Sequence, residues 1–132
     1  MLEEEKVWGR VRHIFDGPIQ VSILSVNAGG FSSVHRHVRR FNHFLVVSGM
    51  IRVRLYSGSN HDHVTMTHKL YSGDSYTVRP GVLHKFECVK SGQVVETYWT
   101  EDGSPAEQED IERLTVSGMT EPVLHSTGAF PE

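Results

Sequence analysis

Two histidines one residue apart, His35 and His37, are the first feature of this chain that could do chemistry. On a β-strand, positions i and i+2 point to the same face, so both imidazoles can reach one metal ion. Forty-seven residues beyond His37, His84 follows Pro80-Gly81 at the start of another strand-like run. Three neutral imidazoles with open positions beside them form a recurrent catalytic metal arrangement. A bare His-x-His in a chain with nine histidines among 132 residues fits a solvated or hydrogen-bonded pair equally well, so the surrounding spacing has to decide.

The elements that must position these residues are strands. Runs rich in β-branched and aromatic residues cover 7–15, 20–26, 43–47, 50–56, 64–70, 75–79, 83–88 and 94–100. Turn formers such as Asp16-Gly17-Pro18, Ser48-Gly49, Ser72-Gly73-Asp74 and Pro80-Gly81 separate them. Between Met50 and Tyr56, Ile51, Val53 and Leu55 alternate with Arg52 and Arg54, the pattern of a half-buried strand. Many short strands with Gly-rich turns predict an all-β antiparallel sandwich or barrel. The one helix expected is short and C-terminal, Pro105 to Leu114, with Ser104 as cap and Pro105 at the first helical position. Residues 115–132 read as an irregular tail.

The length predicts one domain over 1–132, with a barrel core at about 7–100 and the helix and tail at 101–132. Thirteen basic against sixteen acidic residues give a net charge of −3, which excludes a general nucleic-acid binder. The apolar run Phe44–Val47 is far too short for a membrane span, and the acidic start lacks an apolar signal segment. One cysteine, Cys88, excludes an internal disulfide framework and fits a reducing, cytoplasmic setting.

The spacing around the histidines resembles the two motifs of the cupin superfamily. The first is written G-x5-H-x-H-x(3,4)-E-x6-G, and here Gly29, His35-Arg36-His37, Asn42 and Gly49 fall in register. The second is G-x5-P-x-G-x2-H-x3-N, matched by Gly73, Arg79-Pro80-Gly81, His84 and Cys88. The resemblance covers roughly residues 20–100 and implies a small double-stranded β-helix, the jelly-roll barrel, with a divalent ion (Zn, Mn, Fe or Ni) inside. It implies His35, His37 and His84 as ligands, and a homodimer. Apolar residues on both parities of one strand, Phe44 and Val46 beside Leu45 and Val47, also favour a two-fold dimer. Asn42 stands where the family has a glutamate ligand. Its amide oxygen can ligate without adding charge, leaving a stronger Lewis acid but weaker affinity. It can instead hydrogen-bond a ligating histidine or water, or mark a site that has lost its metal. Arg79 and Cys88 replace the motif's proline and asparagine.

A narrower resemblance is to the cupin domain of type II phosphomannose (mannose-6-phosphate) isomerases. It rests on Val7-Trp8-Gly9-Arg10, on His43 to Gly49 and on Glu109-Asp110-Ile111-Glu112-Arg113-Leu114. It implies a small polar ligand, a sugar or sugar phosphate, and aldose–ketose isomerisation at a divalent metal. That chemistry needs a base within reach of adjacent carbons, and the candidates are Glu96 on the last strand and Lys85 beside His84, whose parity argues against it. Arg79 is the candidate contact for a phosphate or carboxylate, with Tyr76, Phe86 and Tyr98 as lining residues. Arg36, Arg39 and Arg40 read as solvated loop charges that could instead draw an anionic substrate. Asn60-His61-Asp62-His63 reads as a hairpin tip, and His13, His68 and His125 as surface or edge residues. Two other functions fit the same residues. One is an iron dioxygenase with a three-histidine site; the other is a non-catalytic small-molecule binding or sensory module.

Overall fold

The alternation in the sequence becomes alternation of burial. Along Gln20–Val26 every second side chain is buried, and Arg40, Asn42, Phe44 and Val46 do the same twenty residues later. The computed structural model describes residues 2–58 and 61–120, which form strands joined by turns and loops, with no helix among them. In chain order the strands are β1 (Glu3–Lys6), β2 (Gly9–Asp16), β3 (Gln20–Val26), β4 (Gly30–Phe31), β5 (His35–Arg36) and β6 (Arg40–Val46). They continue as β7 (Met50–Tyr56), β8 (Val64–Leu70), β9 (Ser75–Val78), β10 (His84–Lys90) and β11 (Gly92–Thr100). Two short strands, β12 (Glu112–Arg113) and β13 (Gly118–Met119), end the described chain.

Two antiparallel sheets result. The first has the order β1-β2-β3-β11-β6-β9. The second places β10 between β7 and the short strands β4 and β5, with β8 outside β7, β12 on β5 and β13 on β4. Sequence-distant strands lie side by side, as where β11 sits between β3 and β6, and this is the jelly-roll barrel that the cupin resemblance implies. The inner faces meet in a core that includes Trp8, Leu24, Phe44, Val46, Val53, Phe86 and Val94. Each fully buried side chain of this size contributes roughly 1.5–3 kcal/mol.

Differences from the sequence reading cluster at the ends. β1 carries Glu3-Glu4-Glu5-Lys6, which has no apolar alternation to reveal it; its charges suit a sheet edge exposed to water. β6 begins at Arg40 rather than at 43. The helix expected over 105–114 is absent; the segment is a loop with a turn at Gln108 and Glu109, closed by the Asp110 N–H on the Glu107 carbonyl, that leads into β12. Its acidic residues serve partners elsewhere instead of a helix N-terminus. Asp110 accepts bonds from the backbone N–H groups of Val38, Arg39 and Arg40, and Glu112 pairs with Arg36. The tail is not wholly irregular, since β13 pairs with β4 and Thr120 N donates to the Gly29 carbonyl. Asn60 and residues 121–132, with His125, lie outside the described residues. No described helix is long and apolar enough to cross a membrane.

Candidate metal centre

His35 and His84 come together through strand pairing. They are directly opposed in the antiparallel register of β5 and β10, with ring centroids 4.4 Å apart. His37 lies just past β5, its ring 5.0 Å from His35 and 5.4 Å from His84. Gly81 locks this arrangement. Its N–H donates to the His37 carbonyl at 2.7 Å, and its φ of 84° is a left-handed conformation that glycine adopts without strain. The turn bearing His84 is thereby fastened to the loop bearing His37.

The hydrogen bonds of the three rings fix one tautomer. Nδ1 of His35 donates to the Ser33 carbonyl at 2.8 Å, Nδ1 of His37 to the Asp110 carbonyl at 2.8 Å and Nδ1 of His84 to the Val82 carbonyl at 2.9 Å. A carbonyl only accepts, so in each ring the proton sits on Nδ1 and Nε2 keeps its lone pair. One ligand nitrogen from each ring lies within 4.8 Å of the others. Burial keeps the rings neutral. It pushes His37 and His84 down to about 4, with the positive charge of Arg40 adding to the effect, and lowers His35 well below the ordinary value with help from its histidine neighbours.

Asn42 faces the same point from the opposite sheet and is fully buried. Its Oδ1 lies 3.1 Å from His84 Nε2, while its Nδ2 donates to Glu96 Oε2 at 3.0 Å. The amide is thus oriented by Glu96, and two lone pairs face each other across the gap to His84. His37 Nε2 is buried without a hydrogen-bond partner. Unpartnered, converging acceptors of this kind fit a bound cation, and a set of imidazole nitrogens with one oxygen suits a divalent ion such as zinc, manganese, iron or nickel.

Beside the histidines a cavity of about 490 Å³ opens, within the range of small-molecule sites. Its lining includes His35, Arg40, Phe44, Phe86, Glu96 and Tyr98. Burial raises Glu96 above the usual carboxylate value, although Asn42 and Tyr98 both hydrogen-bond to it. Burial, together with the charge of Glu96, raises Tyr98 well above 10.

The structure thus brings together His35, His37, His84, Asn42 and Glu96, with Phe86 and Tyr98 on the cavity wall. Arg79 and Tyr76 fall elsewhere. Arg79 is exposed in the turn before Gly81, and Tyr76 stacks on His68 at 3.9 Å, away from the cavity lining. Lys85 points to the outer face, where it pairs with Glu87 at 3.1 Å. His61 and His63 are exposed. Two residues assigned to loop or surface in the sequence line the cavity instead. Arg40 is buried on β6, and His13 shares a hydrogen bond with Ser22. Strict alternation back from Asn42 would have found Arg40. Asp110, whose carbonyl orients His37 and whose carboxylate holds the loop behind it, stood in the sequence only as part of the segment 109–114 that carries the narrower resemblance, with no role of its own.

The barrel has the cupin fold, and inside it His35, His37 and His84 form a buried group that could hold a metal ion. No protein-family model and no curated protein matches the chain. Among solved structures, the capsular polysaccharide assembling protein CapF from Staphylococcus aureus superposes with a TM-score of 0.69 at 22% identity. That match covers 87% of this chain and 34% of CapF, so the chain spans about a third of that protein's length. An RmlC-like cupin from Shewanella frigidimarina gives 0.63 at 22% identity, over 80% of this chain and 84% of the other. KdgF from Halomonas sp. gives 0.64 at 16% identity, over 80% and 86%. At these identities the likeness is one of fold.

Proposed function

We propose that the barrel holds a divalent metal ion on His35, His37 and His84, with Asn42 as the oxygen donor. On this reading it converts a small polyhydroxy carbonyl compound, a sugar or sugar phosphate, between its aldose and ketose forms. The observation that carries this reading is the convergence of one ligand nitrogen from each of three buried histidines, with the Asn42 oxygen at His84, beside a cavity lined by Glu96. A metal bound there supplies Lewis acidity, lowering the pKa of the proton on the carbon next to a carbonyl.

The residues of the chain then have distinct tasks. Glu96, steadied by Asn42 Nδ2, accepts the proton from one carbon as the C–H bond breaks and returns it to the adjacent carbon, while the hydroxyl proton passes from the oxygen that becomes the new carbonyl to the oxygen of the old one. Its raised pKa suits both halves of that exchange. Tyr98, hydrogen-bonded to Glu96, keeps the carboxylate facing the cavity. Phe44 and Phe86 close the floor and keep bulk water from the reacting carbons. Replacement of the family's glutamate by Asn42 thus moves the carboxylate from the ligand position to Glu96, on the neighbouring strand.

The test is interconversion of aldose and ketose phosphates by protein reloaded with each metal in turn, compared with Glu96→Gln. Turnover that falls at least a hundredfold in Glu96→Gln at unchanged metal content supports the assignment; equal turnover in the variant contradicts it. Iron in the purified protein together with oxygen consumption would favour a dioxygenase. The outer face of the first sheet, with Leu45 and Val47 exposed and Phe41 stacked on Trp99, supports a homodimer. Elution as a monomer in gel filtration would rule that out.

A further inference from the structure

Arg40 is a buried cation that the metal centre does not use. It is 4% exposed and makes no ion pair, although, against the larger effect of burial, its charge lowers the pKa of the Glu96 carboxyl that lines the same cavity. Nη1 donates to Gln20 Oε1 at 3.2 Å, and Cζ lies 3.8 Å from the centre of the Tyr98 ring. Nε is 3.2 Å from His37 Nδ1, but that nitrogen already carries the proton it donates to Asp110, so it offers no lone pair. No carboxylate among the described residues lies within ion-pair distance of the Arg40 side chain, and Nη2 has no hydrogen-bond partner there.

Other arginines of the barrel are treated differently. Arg36 pairs with Glu112, Arg39 with Asp102 and Arg54 with Glu87. Arg52, as buried as Arg40, also has a counter-ion in Glu87 at 2.9 Å, so Arg40 is a buried arginine that has hydrogen bonds but no ion pair. Burying a cation without a counter-ion is costly, and a ligand that brings the missing charge recovers that cost on binding.

We propose that Arg40 is the docking point for an oxyanion of the ligand, so that the compound reaching the three histidines carries a carboxylate or a phosphate ester. This rests on the reading of the cavity as a ligand site and narrows its substrate class. Arg40 touches the His37 ring, so an anion held there leaves the rest of a small ligand beside the metal centre. The guanidinium fork matches two oxygens of a carboxylate or phosphate, which a lysine could not match in the same way. The cavity admits one such ligand of sugar size.

Calorimetric titration of the metal-loaded full chain with glucuronate, glucose 6-phosphate and glucose tests this, with metal content measured on every sample. At least one charged probe should bind ten times or more tighter than glucose. Which one does so tells carboxylate from phosphate. Arg40→Met should lose that preference, Arg40→Lys should keep part of it, and Arg79→Met, altered in an exposed turn, should keep all of it. If Arg40→Met folds poorly or loses its metal, a reduced preference in metal-replete Arg40→Lys carries the same conclusion. Charged probes that bind no tighter than glucose, absence of binding included, would overturn the proposal. So would an undiminished preference in the Arg40 variants. Anion preference in a protein that takes up no metal would sustain the role of Arg40 and remove the metal-dependent reading.

Discussion

The two ends of the barrel interior are built from the same strands and differ in kind. On β6 the inward positions run Arg40, Asn42, then Phe44, Val46; on β3 they run Gln20, Ser22, then Leu24, Val26. β10 passes from His84 to Phe86 and Cys88, and β11 from Val94 to Glu96 and Tyr98. One end is a packed apolar plug and the other is a polar cavity, with the change occurring in one layer across both sheets. The apolar end stabilises the fold through burial, whereas the polar end takes histidines, a carboxyl and a guanidinium out of water and must satisfy them one by one. Where it leaves His37 Nε2 without a hydrogen bond and Arg40 without an ion pair, the remaining partner is expected from outside the chain.

That division gives variants with opposite signatures. Phe44→Ala opens a cavity in the plug beside Phe86 and should cost about 3–5 kcal/mol in denaturant unfolding. If the ends are independent, metal uptake should survive that change at permissive temperature; its loss would break the division. A smaller effect belongs to the polar end of the metal-free protein. His37 and His84 titrate at about 4 when folded and near 6.5 when unfolded, so the unfolded chain binds more protons between those values. Their contribution is fully present above about pH 6.5 and is lost as pH falls towards 4, by roughly a few kcal/mol in all. Chelated protein should show this loss in urea melts, and His37→Gln should flatten the curve. A pH-independent stability over that window would contradict burial as the cause. Asp110→Ala should have the smallest effect, costing about 1–2 kcal/mol through the lost backbone bonds at Val38, Arg39 and Arg40. It should also weaken metal affinity roughly tenfold by loosening His37, which metal titration would measure.

The plug was legible in the sequence because period-2 alternation of Val, Ile and Phe reports burial directly, and the glycine spacing set His35, His37 and His84 in register. The polar end was far less legible. Residues 105–114 carry helix-start signals, Ser104 and Pro105, but Asp110 and Glu112 are engaged by the loop at 38–40 and by Arg36. Only the folded chain brings those partners near, so local propensity misreads the segment. Arg40 was missed for a related reason. Three arginines within five residues resemble a solvated loop, and composition does not reveal that the third begins a strand. Arg79 misled in the other direction, since closeness in sequence to His84 does not bring its side chain to the cavity.

The central claim is that the polar end is a metal centre, and elemental analysis of the purified chain tests it most directly. The account predicts about one divalent ion per chain, lost in His35→Ala and reduced in Asn42→Ala, with both variants folded because neither belongs to the apolar plug. Metal content unchanged in His35→Ala would contradict it.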